Sequence, residues 1–343
     1  MQALSTPPAG RAGKRMRYAP RDAFTLIEMM AAVVVLSGIM LVIFGITNQI
    51  SHIWRNSKAK IESFRGARAA FTSITSQLEQ ATLNTYYDYY QNGVRRTEAN
   101  KATFIPTSYN RNSDLHFICG KSLITNQVGH SIFFQATLGR TDVTAYQGMD
   151  TMLNACGYYI TYGPDISRPA FLDTLPAASP QRNRFRLMQF LQPSQDLSVY
   201  STTAPSDVKN WFSIPVNAGR NCQPLAENII AMVILPRLSL GDTTVPGSLA
   251  PQYEYDSRNS ANNTTFHQMP PVIDIVMVAI DEPSAIRLGN SATAPDLGVS
   301  TLFQNASSLE TDLRTLTTSL DARRITYRVF RTSVAIKGAK WSS

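Results

Sequence analysis

The sequence predicts an α+β protein in which a long, membrane-spanning N-terminal helix packs on a β-rich globular domain. Three observations lead to this prediction. A nearly unbroken apolar run occupies residues 24–46, helical periodicity continues to about residue 85, and short apolar runs alternate with polar loops over residues 86–343. The chain has 343 residues, of which 43% are hydrophobic, so it can bury a full core and does not have the composition of a disordered protein.

The apolar run is long enough to cross a membrane. At 1.5 Å per residue, residues 24–46 make a helix of about 35 Å, against a hydrocarbon core of about 30 Å. Five basic residues precede the run: Arg11, Lys14, Arg15, Arg17 and Arg21. Because basic flanks stay on the cytoplasmic side, the sequence predicts a cytoplasmic amino terminus and a body outside the cytoplasm.

The helix is expected to become amphipathic after the membrane segment. Apolar residues recur there at steps of three and four: Ile61, Phe64, Ala67, Phe71, Ile74, Leu78 and Ala81. Such spacing places them on one stripe of a helix, which predicts that this second half lies on the chain's own body.

In the body, the alternation of apolar runs with polar segments predicts strands separated by loops. The predicted strands are Leu115–Cys119, His130–Thr137, Gly157–Tyr162, Asn228–Leu235, Val272–Ile280 and Ile325–Ile336. The segment Phe185–Leu191 is either a strand or one helical turn, and a strand is favoured. Residues 164–183 and 241–269 are rich in Pro, Ser, Asn and Thr and are predicted to be long loops.

A capping box at Ser307–Glu310 predicts one internal helix. In the last strand the apolar alternation changes parity, which predicts a bulge at Val329–Phe330.

One acid, Glu28, interrupts the apolar run. A charge there costs about 2.5–3.5 kcal/mol on insertion scales, so it requires a partner. The surrounding segment, AFTLIE at 23–28, resembles the processing site of type IV prepilins and type II secretion pseudopilins. The resemblance implies that prepilin peptidase removes a leader, residues 1–23, by cutting after Ala23, and that the new amino terminus at Phe24 is methylated. It also implies that Glu28 pairs with that amine on a neighbouring subunit during assembly. Alanine stands where these families usually have glycine.

The body extends the resemblance. A long N-terminal helix followed by a β-rich body resembles the larger, J-type minor pseudopilins. Five phrases are similar to the Verru_Chthon cassette protein C family, prepilin-like proteins from Verrucomicrobia: CGYYITYG at 156–163, RFRLMQF at 184–190, PLAENIIAMVILPRLS at 224–239, PPVIDIVMVAIDE at 270–282 and ITYRVFRTSVAIKGAKW at 325–341. The implied partners are prepilin peptidase, other pilin or pseudopilin subunits and inner-membrane lipid.

Catalysis and cofactor binding are not expected. The sequence has no nucleophile elbow, zinc-protease motif, phosphate loop or dinucleotide fingerprint. His116 and Cys119 form an H-x-x-C pair without a second pair of zinc ligands, and the Asp256–Asn263 loop lacks the calcium-loop pattern. Three cysteines allow one disulfide or none: Cys119, Cys156 and Cys222.

Two other functions remain open at this stage. The chain could be an uncleaved, signal-anchored periplasmic module that binds a ligand through its body. It could also be a pilus-tip adhesin or DNA-binding subunit, with bases stacking on the tyrosines of Tyr86–Tyr90 beside Arg95 and Arg96. Net charge is +8, but much of it lies in the leader, so no nucleic-acid partner is expected from charge.

Overall fold

The N-terminal helix, α1, runs from Leu26 to Glu79 in the computed structural model. One compact unit of the chain ends at Arg55, and the other begins at Asn56 and contains the β-rich body. The structure describes residues 25–165, 168–169, 171–172, 181–201, 207–239, 249–262 and 264–341.

The described part of the body contains twelve strands and three further α-helices. The strands are β1 (Tyr86–Gln91), β2 (Val94–Arg95), β3 (Ser108–Asn112), β4 (Ile118–Lys121), β5 (His130–Thr137), β6 (Leu153–Gly163), β7 (Arg184–Gln192), β8 (Cys222–Glu227), β9 (Ile229–Arg237), β10 (Tyr255–Asp256), β11 (Val272–Ile280) and β12 (Tyr327–Ala335). The helices are α2 (Asn210–Asn217), α3 (Glu282–Arg287) and α4 (Leu309–Ala322).

The strands form three antiparallel sheets. The large sheet has the order β10-β4-β5-β6-β7-β8, a second sheet has the order β12-β11-β9, and a small one has the order β2-β1-β3. Strand β9 packs against the large sheet, where the Ile234 backbone N–H donates to His130 Nδ1 at 3.3 Å. On the other face of the large sheet, α2 stacks Phe212 on Phe133 with ring centroids 4.1 Å apart. Nearly all of β5, β9 and β11 is buried as a result.

The second half of α1 packs on the body along the predicted stripe, with Ala67, Ile74 and Leu78 almost fully buried. Its predicted end at residue 85 is wrong. The last turn tightens after Glu79, and the Thr82 backbone N–H then donates to the Gln135 carbonyl of β5 at 2.9 Å. The chain leaves the helix because its backbone groups pair with the sheet instead.

Several predicted strand bounds need correction. The strand predicted at Leu115–Cys119 begins only at Ile118, because the His116 N–H donates to the Gln135 side chain and leaves the ladder. The strand predicted from Asn228 begins at Ile229, because Asn228 takes a left-handed backbone conformation (φ 61°). Strand β6 extends the predicted Gly157–Tyr162 at both ends.

The predicted bulge at Val329–Phe330 is wrong. Pairing of β12 with β11 is continuous from Val272–Ala335 to Ile280–Tyr327. The apolar residues of β12 change from one face to the other because different helices cover the two faces of the strand. Phe330 contacts Phe71 of α1, with ring centroids 5.8 Å apart, whereas Tyr327 and Arg331 on the other face bond to side chains of α4.

Helix α4 is where the sequence predicts it, but the capping box is not formed. The residue at the N-cap is Ser308 and not Ser307, and its side chain accepts no backbone N–H of the helix; the Ser308 hydroxyl instead donates to the Asn305 carbonyl and to Asp312. Glu310, the expected second half of the box, instead forms an ion pair with Arg331 of β12.

The small sheet and helices α2 and α3 are absent from the prediction. The Asn92-Gly93 turn signal is confirmed, since both residues have positive φ and close a two-residue hairpin between β1 and β2. The start of helix α3 has a recognisable N-cap residue, Asp281, whose side chain accepts the Ser284 backbone N–H at 3.0 Å. Of the two predicted loops, 241–269 contains β10, and each lies partly outside the described residues.

Candidate functional site

Glu28 lies in the first turn of α1, and its carboxylate closes a capping box with Thr25. The Thr25 backbone N–H and hydroxyl each donate to Glu28 Oε2 at 2.9 Å, and the Glu28 N–H donates back to Thr25 Oγ1 at 3.3 Å. These bonds satisfy backbone donors that a helix start leaves unpaired. Ala23 and Phe24, the other predicted site residues, lie outside the described residues.

The first part of α1, which carries Glu28, exposes its apolar side chains on every side. Each large apolar side chain from Leu26 to Ile46 is at least 50% exposed. The segment Leu26–Arg55 has a mean hydropathy of 2.7 in its most apolar window, and it is long and apolar enough to cross a membrane. Such a surface needs lipid or other apolar helices around it.

Three hydroxyl groups in this segment are satisfied within the helix itself. The hydroxyls of Ser37, Thr47 and Ser51 each donate to the carbonyl four residues earlier, at 2.8 Å. Such bonding is how hydroxyl side chains are accommodated in lipid. Glu28 differs from them, because it is the only Asp, Glu, Lys or Arg between Leu26 and Trp54.

The histidine of the H-x-x-C pair, His116, lies in the core. His116 is fully buried, and its Nε2 lies 2.8 Å from Asp256 Oδ1. On the opposite side of the ring, Trp211 Nε1 donates to Nδ1 at 3.0 Å. Burial lowers the pKa of His116, so the neutral ring donates to Asp256. Both ring nitrogens of His116 and the carboxylate of Asp256 are thereby engaged within the protein.

All three cysteines are free thiols. Cross-strand pairing places Cys156 beside Leu191 and Cys222 beside Phe190. Leu191 and Phe190 are adjacent in β7 and point to opposite faces, so the large sheet separates these two thiols. Burial raises the pKa of Cys156 to about 12, so the thiol acts as a small core side chain.

The tyrosine segment forms a ladder on one face of the small sheet. Tyr109 of β3 lies between Tyr87 and Tyr89 of β1, at centroid distances of 5.2 and 5.1 Å. Beside it, Arg95 Nε donates to Asp88 at 2.6 Å, and this bond lowers the pKa of Asp88.

Comparison of the chain with protein-family models, with curated proteins and with solved structures finds no match in any of the three.

Proposed function

We propose that this protein is a prepilin-like minor subunit, inserted in the bacterial inner membrane and assembled through its N-terminal helix into a pilus or secretion pseudopilus. The observation that carries the proposal is the position of Glu28. It is the only Asp, Glu, Lys or Arg between Leu26 and Trp54, a segment whose large apolar side chains are all exposed, and it lies four residues after Phe24 of the processing motif. The fold class is compatible with it: an apolar N-terminal helix and a β-rich body are the parts of a pilin-like chain.

The capping role alone does not account for a charged residue at position 28. Glutamine serves equally at the third position of a capping box, without an ionised group in lipid. An ionised Glu28 costs about 2.5–3.5 kcal/mol on insertion scales. A cationic partner would offset part of that cost, and the methylated amine of Phe24 on an adjacent subunit would supply one. Only one axial stagger brings the amine to the carboxylate, so the pair would also fix the register between subunits.

In this proposal the body stays outside the cytoplasm and gives the subunit its partner specificity. The basic residues before α1 support that orientation. The large apolar surface of residues 26–46 supports side-by-side packing with other such helices, because association in lipid depends on close packing. Gly38 and Gly45 fit this role, since a Cβ at either position would meet no atom within 4 Å in the single chain.

A comparison of two substitutions at the helix start tests the proposal. Glu28→Gln keeps both halves of the capping box but removes the charge. Thr25→Val removes the capping hydroxyl but keeps the charge. Both variants should insert in the membrane and be processed to a methylated Phe24 terminus, measured by mass spectrometry after co-expression with a prepilin peptidase. Only Glu28→Gln should fail to cross-link to partner subunits.

Other outcomes would overturn the proposal. An amino terminus still carrying residues 1–23 in the presence of the peptidase would favour the signal-anchored binding module. Equal cross-linking of Glu28→Gln and the unaltered chain would mean that the charge has no role in assembly. Loss of cross-linking only in Thr25→Val would assign the motif to helix capping.

A further inference from the structure

Strand β12 leaves one edge of the second sheet open. It pairs with β11 on one side through all nine of its residues, without a register shift, and no strand lies on its other side in the described part of the chain. An unpaired strand edge presents a row of backbone N–H and carbonyl groups that can bond to another chain. The outer edge of β12, residues 327–335, is therefore a candidate docking surface.

Two hydrogen bonds at the ends of β12 identify the residues whose backbone groups face outward. The Ile336 N–H donates to the Pro271 carbonyl at 2.9 Å, and the Asp281 N–H donates to the Thr326 carbonyl at 3.1 Å. In an antiparallel ladder this orientation recurs at every second residue, so the even-numbered residues of β12 bond to β11. The odd-numbered residues direct their N–H and carbonyl groups to the outer edge: Tyr327, Val329, Arg331, Ser333 and Ala335.

The outer backbone groups of β12 have no hydrogen-bond partner among the residues that the structure describes. Helices α1 and α4 contact side chains on the two faces of the strand and leave these groups unbonded. Ser333 and Ala335 are exposed. The next outward group is paired, because the Lys337 N–H donates to the Glu79 carbonyl of α1 at 3.2 Å. The open edge therefore extends from Tyr327 to Ala335.

The other strands that end a described sheet are protected against such pairing. Strands β2 and β10 have two residues each, and β3 has five. Strand β8 contains Pro224, and β9 contains Pro236 and a register shift in its pairing with β11. Short strands, proline and bulges are the usual means of blocking an edge. Strand β12 has none of these features, so its long, regular edge requires another explanation.

The charged residues of β12 are arginines, and they indicate the chemistry of a partner. Glu310 of α4 already pairs with Arg331. Arg328 is exposed and has no ion-pair partner in the described part of the chain, and its guanidinium lies 5.6 Å from the centroid of the Phe330 ring. A strand added at the outer edge would face these two even-numbered residues in non-hydrogen-bonded pairs, where side chains approach most closely. An acid opposite Arg328 and an apolar residue opposite Phe330 suit such pairs.

The same arginines disfavour a second copy of this chain as the partner. Pairing β12 with itself would bring two more arginines to the interface and no acid from the strand. Like charges on paired strands are destabilising. A partner of different sequence, with an acid in its strand, is therefore favoured.

We propose that the outer edge of β12 binds an extended segment of a partner protein, which adds to the second sheet as an antiparallel strand with an acid beside Arg328 and an apolar residue beside Phe330. Antiparallel pairing is the more stable orientation, and it places the apolar residue two positions before the acid in the partner's sequence. The proposal concerns a contact of the body that helix assembly through Glu28 does not require. The two proposals can therefore fail separately.

Binding of a short peptide to the full-length protein in detergent micelles tests the edge. The probe is the fluorescein-labelled, amidated peptide TVTVTET, whose second valine faces Phe330 when its glutamate faces Arg328. Fluorescence anisotropy should show saturable binding above the background of empty micelles. Replacement of the glutamate by lysine should weaken binding about fivefold, because an attraction to Arg328 becomes a repulsion. N-methylation of the two central threonines removes N–H groups that face outward carbonyls of β12, and it should weaken binding at least about tenfold.

Three variants locate the peptide. Arg328→Glu should reverse the preference, so that the lysine peptide binds more tightly than the glutamate peptide. Arg220→Glu makes the same charge change at an exposed position before β8 and should leave both affinities unchanged. Val329→Pro removes one outward N–H, which an edge strand tolerates, and should weaken both peptides at least about tenfold.

Several results would overturn the proposal. Absence of saturable binding at about 1 mM peptide, or equal binding of the N-methylated peptide, would mean that the edge accepts no strand. A preference for glutamate that persists in Arg328→Glu, or an unchanged affinity in Val329→Pro, would place the peptide elsewhere. Concentration-dependent dimerisation that is lost in Val329→Pro would assign the edge to a second copy of the chain. The three-peptide comparison and Arg328→Glu decide the question even if Val329→Pro does not fold.

Discussion

The side-chain carbonyl of Gln77 on α1 accepts a hydrogen bond of 2.5 Å from the hydroxyl of Tyr158 on β6. The same oxygen accepts from Gln189 Nε2 at 3.0 Å and from Cys156 Sγ at 3.2 Å. Three donors from two neighbouring strands thus converge on one helix side chain. An apolar stripe alone permits sliding, whereas this polar contact fixes where the helix lies along the sheet.

Removal of this acceptor should destabilise the body. Gln77→Met keeps the length of the side chain but leaves the Tyr158 hydroxyl without its acceptor, at a cost of about 1–3 kcal/mol. Gln80→Met, in the exposed turn directly after α1, is the control and should cost less than about 0.5 kcal/mol. Denaturant unfolding of the two variants in detergent measures the difference. Equal losses would show that the convergence on Gln77 contributes nothing.

Gly157 has no room for a side chain. It pairs with Phe133 across β5 and β6, and a Cβ there would overlap Cδ1 of the Phe133 ring. Because Phe133 also stacks on Phe212, the ring has little freedom to move. We expect Gly157→Ala to lower the unfolding free energy by about 1–3 kcal/mol.

Gly163, at the end of the same strand, is the matched control for Gly157. A Cβ at Gly163 would meet nothing within 4 Å, so Gly163→Ala should be nearly neutral. Comparable thermal midpoints for the two alanine variants would rule out the overlap as the reason for the glycine.

His130 should make the body sensitive to acid. The ring accepts the Ile234 N–H on Nδ1, and its Nε2 lies 3.3 Å from the Phe303 carbonyl, which fixes a neutral tautomer. Burial lowers the pKa of His130 to about 3 from an ordinary value near 6.5. Between these values the unfolded chain binds the proton and the folded chain does not, so stability is complete above pH 6.5 and falls as the pH drops toward 3.

A substitution isolates this contribution. In His130→Gln the decline of unfolding free energy with falling pH should be shallower by up to about 1.4 kcal/mol per pH unit. Above pH 7 the two proteins should have parallel profiles. Denaturation series at fixed pH measure both slopes, and identical slopes below pH 6 would contradict the assignment.

The ion pairs of two arginines in the second sheet should contribute differently to the free energy of unfolding. Arg237 donates to Asp274 at 2.9 Å, and the Asp274 side chain is only 5% exposed. Arg331 pairs with the exposed Glu310. Arg237→Gln leaves a buried carboxylate with the Ser333 hydroxyl but no cation, at a cost of about 3 kcal/mol. Arg331→Gln should cost less than about 1 kcal/mol. Urea midpoints of the two variants provide the comparison, and a reversed order would contradict it.

Local patterns explain which elements could be predicted. The strands His130–Thr137 and Val272–Ile280 agree with their predicted bounds, because each is a compact apolar run that a buried strand requires. The small sheet was missed, because Tyr86–Gln91 mixes tyrosine with polar residues and gains its stability from partners in β3. The predicted bulge in β12 was wrong because the strand contacts two different helices, one on each face.

The sequence by itself determined the membrane-length apolar helix, the lone acid in its first turn and the amphipathic stripe that follows. These features depend on spacing within a few residues, which backbone geometry converts directly into helix faces. Only the tertiary structure decided the strand order, the convergence of three donors on Gln77 and the buried contacts of His130. Those arrangements join residues far apart in the chain, and their energies depend on burial and on partners that no local pattern specifies.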